Sequence, residues 1–233
     1  FLVYANENAQ LGDIPCKVHL RAGLEEPFYE TEIDVNLTIS LDQYGFEFPT
    51  GGMTLKSSPL IVDFYGNGME EVFVGSDNGN LYGFMVGGNP LTGFPFNVGD
   101  KIRSSPAVGD VDNDGVNEVV FGSHDGGLYV ISLIGTQKMA YYQDGYIVGS
   151  PALFDLDFDG DMEIIFTTQL GIDSGKLFAI HHDGTDLDGF PMYLNERMMV
   201  GPAIGDLEKD GIVDIVVCTW GENIYAIERS GQI

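Results

Sequence analysis

The sequence predicts an all-β protein, a β-propeller of four-stranded antiparallel blades preceded by the end of an immunoglobulin-like β domain. Three observations carry this. A segment of about 45 residues recurs four times, each copy reads as short strands, and the same acidic loop follows the first strand of each copy. The copies open at "SSPLIVDFYGNGMEEVFVGSDNGNLYGF" (Ser57), "SSPAVGDVDNDGVNEVVFGSHDGGLYVI" (Ser104), "GSPALFDLDFDGDMEIIFTTQLGIDSGKLFAI" (Gly149) and "VGPAIGDLEKDGIVDIVVCTWGENIYAI" (Val200). Their shared prolines, Pro59, Pro106, Pro151 and Pro202, are spaced by 47, 45 and 51 residues. Such a period falls in the range of propeller blades.

Taken in chain order, residues 1–44 differ from the rest. "TEIDVNLTISL" sets Ile33, Val35, Leu37, Ile39 and Leu41 on one face and Asp34, Asn36, Thr38 and Ser40 on the other, the pattern of a half-buried strand. "CKVHLRAG" is a shorter candidate. The segment is too short for a whole sandwich of about 100 residues and reads as the C-terminal part of an immunoglobulin-like domain. Residues 45–56 resemble a fourth blade strand and read as an outer strand. It could complete the last copy, which stops before its own fourth strand, and so close a ring. The alternative is that the chain is a piece of a longer secreted protein and more blades follow, and the start, without Met or a signal peptide, favours this. The blades then run 57–103, 104–148, 149–199 and 200–233.

Within each copy a short first strand leads into the acidic loop. An apolar run follows: Val72–Val74, Val119–Phe121, Ile164–Phe166 and Ile215–Val217. Uninterrupted apolar runs of this kind suit strands buried on both faces. A Gly-containing turn leads to "NLYGF", "GLYVI", "KLFAI" or "NIYAI", and a fourth strand carries "GFPFNVGDKIR" or "GFPMYLNERMM".

Composition narrows the partners. Asp and Glu number 36 against 10 Lys and Arg, a formal charge of −26. That argues against nucleic acid, whose phosphates need basic residues, and disfavours anionic membrane surfaces. No run reaches the roughly 18 apolar residues of a membrane span. Cys16 and Cys218 read as two lone thiols. The expected setting is extracellular or at the cell surface.

The acidic loops carry the chemistry. Copy two offers Asp110, Asp112, Asp114 and Glu118. Copy three offers Asp155, Asp157, Asp159, Asp161 and Glu163, and copy four Asp206, Glu208, Asp210 and Asp214. The pattern D-x-[DE]-x-D-G-x-x-[DE] occurs three times. Carboxylates at positions 1, 3 and 5 of a tight turn can converge on one centre, and the Gly at position 6 permits the turn. The position-7 carbonyl (Val116, Asp161, Ile212) and the position-9 carboxylate complete an oxygen shell suited to Ca²⁺. An EF-hand is excluded, because position 12 is Phe121, Phe166 or Val217 instead of a bidentate Glu, and helices are lacking. Water-solvated acidic turns are the plainer alternative, weakened by the threefold repetition. Copy one has Asp63, Asn67 and Glu71 but Tyr65 at position 3, so its loop reads as weak or degenerate. Two to three calcium ions are expected.

These units resemble FG-GAP repeats, the calcium-binding blades of integrin-α-type propellers. "FG" stands at Phe121-Gly122, and the "GAP" element is similar to "SPA" at Ser105 and "GPA" at Gly201. The resemblance covers Ser57 to Ile233. With the "G-x-LY" and "GFP" elements it looks most like bacterial secreted proteins that carry such blades after a protease or immunoglobulin-like domain. Integrins have seven blades, whereas four stand here. The resemblance implies a non-catalytic extracellular module for adhesion or for binding a protein or glycan. The alternative it leaves is an accessory propeller of a secreted enzyme, a protease or a polysaccharide lyase such as a rhamnogalacturonan lyase.

No catalytic residue is singled out. His181-His182 reads as a solvated turn, since neighbouring side chains on a strand diverge, and His124 reads the same way. Trp220 reads as a packing residue after a buried strand, with sugar stacking as the alternative.

Overall fold

The computed structural model describes residues 12–22, 29–39 and 54–232. Every element among them is a β-strand. The chain divides into two compact units, the division falling after Phe48.

In the first unit, β1 (Gly12–Ala22) pairs antiparallel with β2 (Tyr29–Ile39), from Gly12 opposite Ile39 to Ala22 opposite Tyr29. The strand read at 31–41 is present, starting two residues earlier, and "CKVHLRAG" belongs to a longer strand than the sequence suggested. The half-buried reading fails at Ile33, which is 46% exposed. The outer strand placed at 45–56 falls mainly outside the described residues; Thr54–Lys56 are not in a strand.

The second unit contains the blades. Blade one is β3 (Leu60–Val62), β4 (Glu71–Gly75), β5 (Asn80–Phe84) and β6 (Phe96–Asn97). Blade two is β7 (Ala107–Gly109), β8 (Glu118–Gly122), β9 (Gly127–Ile131) and β10 (Gln137–Tyr142). Blade three is β11 (Ala152–Phe154), β12 (Glu163–Gln169), β13 (Gly175–Ile180) and β14 (Met192–Leu194). Blade four is β15 (Ala203–Gly205), β16 (Asp214–Cys218) and β17 (Ile224–Glu228). Each is an antiparallel meander, with four strands in the first three blades and three in the last.

The core sits between blades, which explains the apolar runs. Val119 and Phe121 pack with Phe64, Phe73, Leu81 and Phe94 of blade one. Val120, between them, points the other way and packs with Ile164, Phe166 and Phe178 of blade three. In blade three, Ile164 and Phe166 face blade two while Ile165 joins Val213, Ile215, Val217 and Ile227 of blade four. The strand period of two therefore feeds two cores at once. In blades two and three neither face of the second strand meets water, so alternation vanishes from the sequence.

The first strands lie innermost, with β11 beside both β7 and β15. Here the "SSP", "GSP" and "GPA" elements bring neighbouring blades together. The Ser58 amide donates to Ser105 Oγ at 2.8 Å. Between blades three and four the approach is closer: a Cβ on Gly201 would fall 2.1 Å from the Ser150 carbonyl oxygen. Replacing Gly201 with Ala must push two backbones apart. We expect it to cost about 1–3 kcal/mol, a fall of about 2–10 °C in melting temperature. Gly205→Ala is the control, because a Cβ there meets nothing within 4 Å. Equal melting temperatures for the two variants would refute the close-approach account.

Candidate metal centres

All four acidic loops share one backbone frame. Position 4 lies in the left-handed region whatever its residue: Gly66 (φ 66°), Asn113 (54°), Phe158 (64°) and Lys209 (59°). The position-6 glycines follow with φ between 82° and 107°. Left-handed backbone suits Gly and, less well, Asn, and positions 4 and 6 together curl the loop so that side chains at 1, 3 and 5 face inward. The position-4 requirement was not visible in the sequence, since its residue type varies.

The position-9 carboxylate is the fixed post. Glu71, Glu118, Glu163 and Asp214 are all buried. In each, one oxygen accepts the amide of position 2: Phe64 at 2.9 Å, Val111 at 3.1 Å, Leu156 at 2.6 Å and Leu207 at 2.9 Å. This bond closes the loop against the start of the second strand and leaves one oxygen per carboxylate for another partner. Burial pushes the Glu118 and Glu163 carboxyls above their ordinary value.

Beyond that frame the loops part company. In blades one, two and four the first Asp is spent on the turn. Asp63 accepts the amides of Asn67 and Gly68, Asp110 those of Asp114 and Gly115, and Asp206 those of Asp210 and Gly211. In blade one the position-3 phenol of Tyr65 instead donates to the Leu133 carbonyl of blade two at 3.3 Å. In blade four Ile212 donates its amide to Asp210 at 2.8 Å. Among the described residues, Asp206, Glu208, Asp210 and Asp214 do not gather to ligand distance.

Blade two gathers Asp110, Asp112 and Glu118, with one oxygen of each within 4.8 Å of the others. Into this group reaches a residue the sequence reading missed. Lys138 Nζ stands 2.9 Å from Asp112 Oδ2, 3.0 Å from Asp114 Oδ2 and 2.7 Å from Glu118 Oε1. Its hydrogen bond holds the Asp114 carboxyl below the ordinary range. Val116 donates its amide to Asp114.

Blade three is built differently. The Asp159 amide goes to Asp157 at 3.3 Å and the Asp161 amide to Asp159 at 3.1 Å, so Asp155 is not consumed by the turn. Asp155, Asp157 and Asp159 stand within ligand distance of one another. Asp155 Oδ1 and Asp161 Oδ1 are buried without a hydrogen-bond partner, as is Asp112 Oδ1 in blade two. A carboxylate oxygen removed from water and left unpaired is costly. A hard cation bound by oxygens would supply the missing partner, so the donor set of blade three could hold a metal ion.

The histidine reading is corrected here. His181 Nδ1 lies 3.0 Å from Glu163 Oε1, and His182 Nδ1 lies 2.7 Å from Asp161 Oδ2. Both reach the same loop because β13 ends at Ile180, and alternation no longer holds in the turn beyond it. His181 forms ligand-distance groups with Asp157 and Glu163 and with Asp159 and Asp161. His124 is half-buried and stacks on Tyr146 at 4.8 Å; it is not a solvated turn residue. Trp220 is 64% exposed, with the Arg197 guanidinium 4.4 Å from its ring centre, so it does not fill a core. Cys218 is a free, exposed thiol.

No protein-family profile matches the chain, and no curated protein sequence does. Solved structures do. BBS1N, crystallised in complex with ARL6DN, aligns over 76% of this chain at TM-score 0.55 and 10% identity. The C-terminal domain of PilY1 from Pseudomonas aeruginosa aligns over 69% at 0.52 and 18% identity. BamB from Moraxella catarrhalis aligns over 77% at 0.51 and 15% identity. The chain spans 52%, 38% and 49% of their respective lengths. At such identities the likeness speaks for the fold alone, and it makes the repeat region β-propeller-like.

Proposed function

We propose that residues 45–233 form a calcium-binding β-propeller module of the FG-GAP type, which serves without catalysis as an extracellular platform for a protein or glycan ligand. One observation carries the calcium reading: in blade three, three aspartates stand at ligand distance while buried carboxylate oxygens of Asp155 and Asp161 have no partner. Residues Asp155, Asp157, Asp159 and Asp161 would hold the ion, and Glu163 keeps the loop closed behind them. The ion would supply charge neutralisation and oxygen cross-linking. The high acidity of the chain suits a compartment where calcium is millimolar. The non-catalytic part rests on what the polar groups already do. His181 hydrogen-bonds to Glu163 and His182 stands beside Asp161 of the same loop, and the acidic residues recur with the blade as ligands do. The long antiparallel hairpin of β1 and β2 is compatible with residues 1–44 ending an immunoglobulin-like domain.

Calorimetric titration of the chelator-stripped chain with calcium tests this reading. Saturable binding is expected, with a dissociation constant on the order of 10⁻⁴–10⁻³ M as in other extracellular calcium modules. Asp155→Asn should weaken it sharply. No binding, or binding indifferent to that change, would end the blade-three assignment. Turnover of a peptide or polysaccharide by the chain would end the non-catalytic one.

A further inference from the structure

We propose that the Lys138 ammonium is the resident cation of the blade-two loop, holding it closed without a metal, and that removing this lysine converts the loop into a divalent-cation site. The proposal rests on the reading of these loops as cation cradles and assigns one of them a different occupant.

The geometry is that of a replaced ion. An ammonium has three donors and no acceptor, and here three carboxylates stand within 3.0 Å of it: Asp112, Asp114 and Glu118. Two of these, with Asp110, make up the ligand-distance group of this loop. A calcium ion would sit about 2.3–2.6 Å from the same oxygens. The two cations cannot share the centre.

The lysine is also delivered by a specific backbone device. In the pairing of β10 with β9, Gln137 stands opposite Ile131 and Met139 opposite Val130, so Lys138 is the extra residue of a β-bulge. A bulge re-aims the side chain it carries. Here it turns Lys138 from the outer strand onto a loop 20 to 26 residues away in sequence. The β13–β14 pairing of blade three has no such shift, and there His181 meets the position-9 carboxylate instead. A cavity of about 340 Å³ lined by Val111, Asp112, Lys138 and His182 adjoins the site and gives a small cation a way in once the lysine is gone.

Calcium chloride titrated into chelator-stripped protein, read by calorimetry, decides the matter. Lys138→Met should bind one more calcium per chain than the wild type. Asp112→Asn should leave the wild-type stoichiometry unchanged but abolish the site gained in Lys138→Met. Asp157→Asn should remove the blade-three ion from both backgrounds. Should Lys138→Met lose its β-sheet circular dichroism, the Asp112→Asn arm in the wild-type background still decides. The proposal is overturned if a folded Lys138→Met binds no more calcium than the wild type, or if Asp112→Asn costs the wild type an ion. Failure of the Asp157→Asn arm alone strikes the blade-three reading and leaves Lys138 untouched.

Discussion

Chelation of divalent cations is expected to lower the melting temperature of the chain by about 5–10 °C, and calcium is expected to restore it better than magnesium. The cause is local crowding of charge. In blade three, Asp155, Asp157 and Asp159 bring oxygens within 4.8 Å of one another. Two unit charges 4 Å apart interact by about 4 kcal/mol at an effective dielectric of 20. Without a cation the loop must spread, and its far end is Glu163, the first residue of β12. The strain therefore enters the most buried strand of the blade. A ligand at about 100 times its dissociation constant adds about 2.7 kcal/mol, which for a chain of this size is about 5–10 °C. Magnesium demands a tighter octahedral shell and dehydrates reluctantly, so it should restore less. Asp157→Ala should abolish most of the response. Tyr65→Ala should leave it intact, because the blade-one loop spends Asp63 on its own turn. Identical melting curves in chelator and in calcium at about 100 times its dissociation constant, about 10–100 mM, would refute the site.

The sequence made some of this legible and hid the rest, for physical reasons. The repeat was visible because each blade needs the same turn chemistry at the same place. The doubly buried second strands were visible because Val119–Phe121 and Ile164–Phe166 carry no polar residue to break the run. The carboxylates of the loops were visible because they lie within nine positions of one another. What joins them from afar was not. Lys138 and His181 lie 20 and 18 residues from Glu118 and Glu163; a bulge brings in the first and the end of a strand the second, and neither has a sequence signature. The three full loops also looked equivalent. They differ in whether the first Asp keeps a free oxygen, which depends on where two backbone amides point. The position-9 residue read as a ligand closing the shell, yet one of its oxygens is tied to the backbone in every blade.

The largest single-residue loss of stability is expected at Phe166. This side chain is fully buried at the interface of blades two and three, stacked on Phe178 at 4.8 Å and edge-on to Tyr141 at 6.0 Å. Phe166→Ala removes a ring that neither blade can replace, because Val120 and Ile164 beside it are themselves fully buried in the same cluster. The cost should be about 3–5 kcal/mol, a fall of about 1–2 M in the urea midpoint. Phe158→Ala, at a ring 59% exposed on the blade-three loop, should change it by less than about 0.5 kcal/mol. The architecture adds a second expectation. Repeat proteins hold together through nearest-neighbour interfaces, so weakening one interface should loosen the coupling across it. Trp220 is the only tryptophan and sits in blade four; its fluorescence reports on the far side of that interface. In the wild type its unfolding should coincide with the loss of β-sheet circular dichroism. In Phe166→Ala the two transitions should separate, with blades three and four unfolding apart from one and two. Coincident transitions with an unchanged midpoint would show that the blades are not held together through this ring.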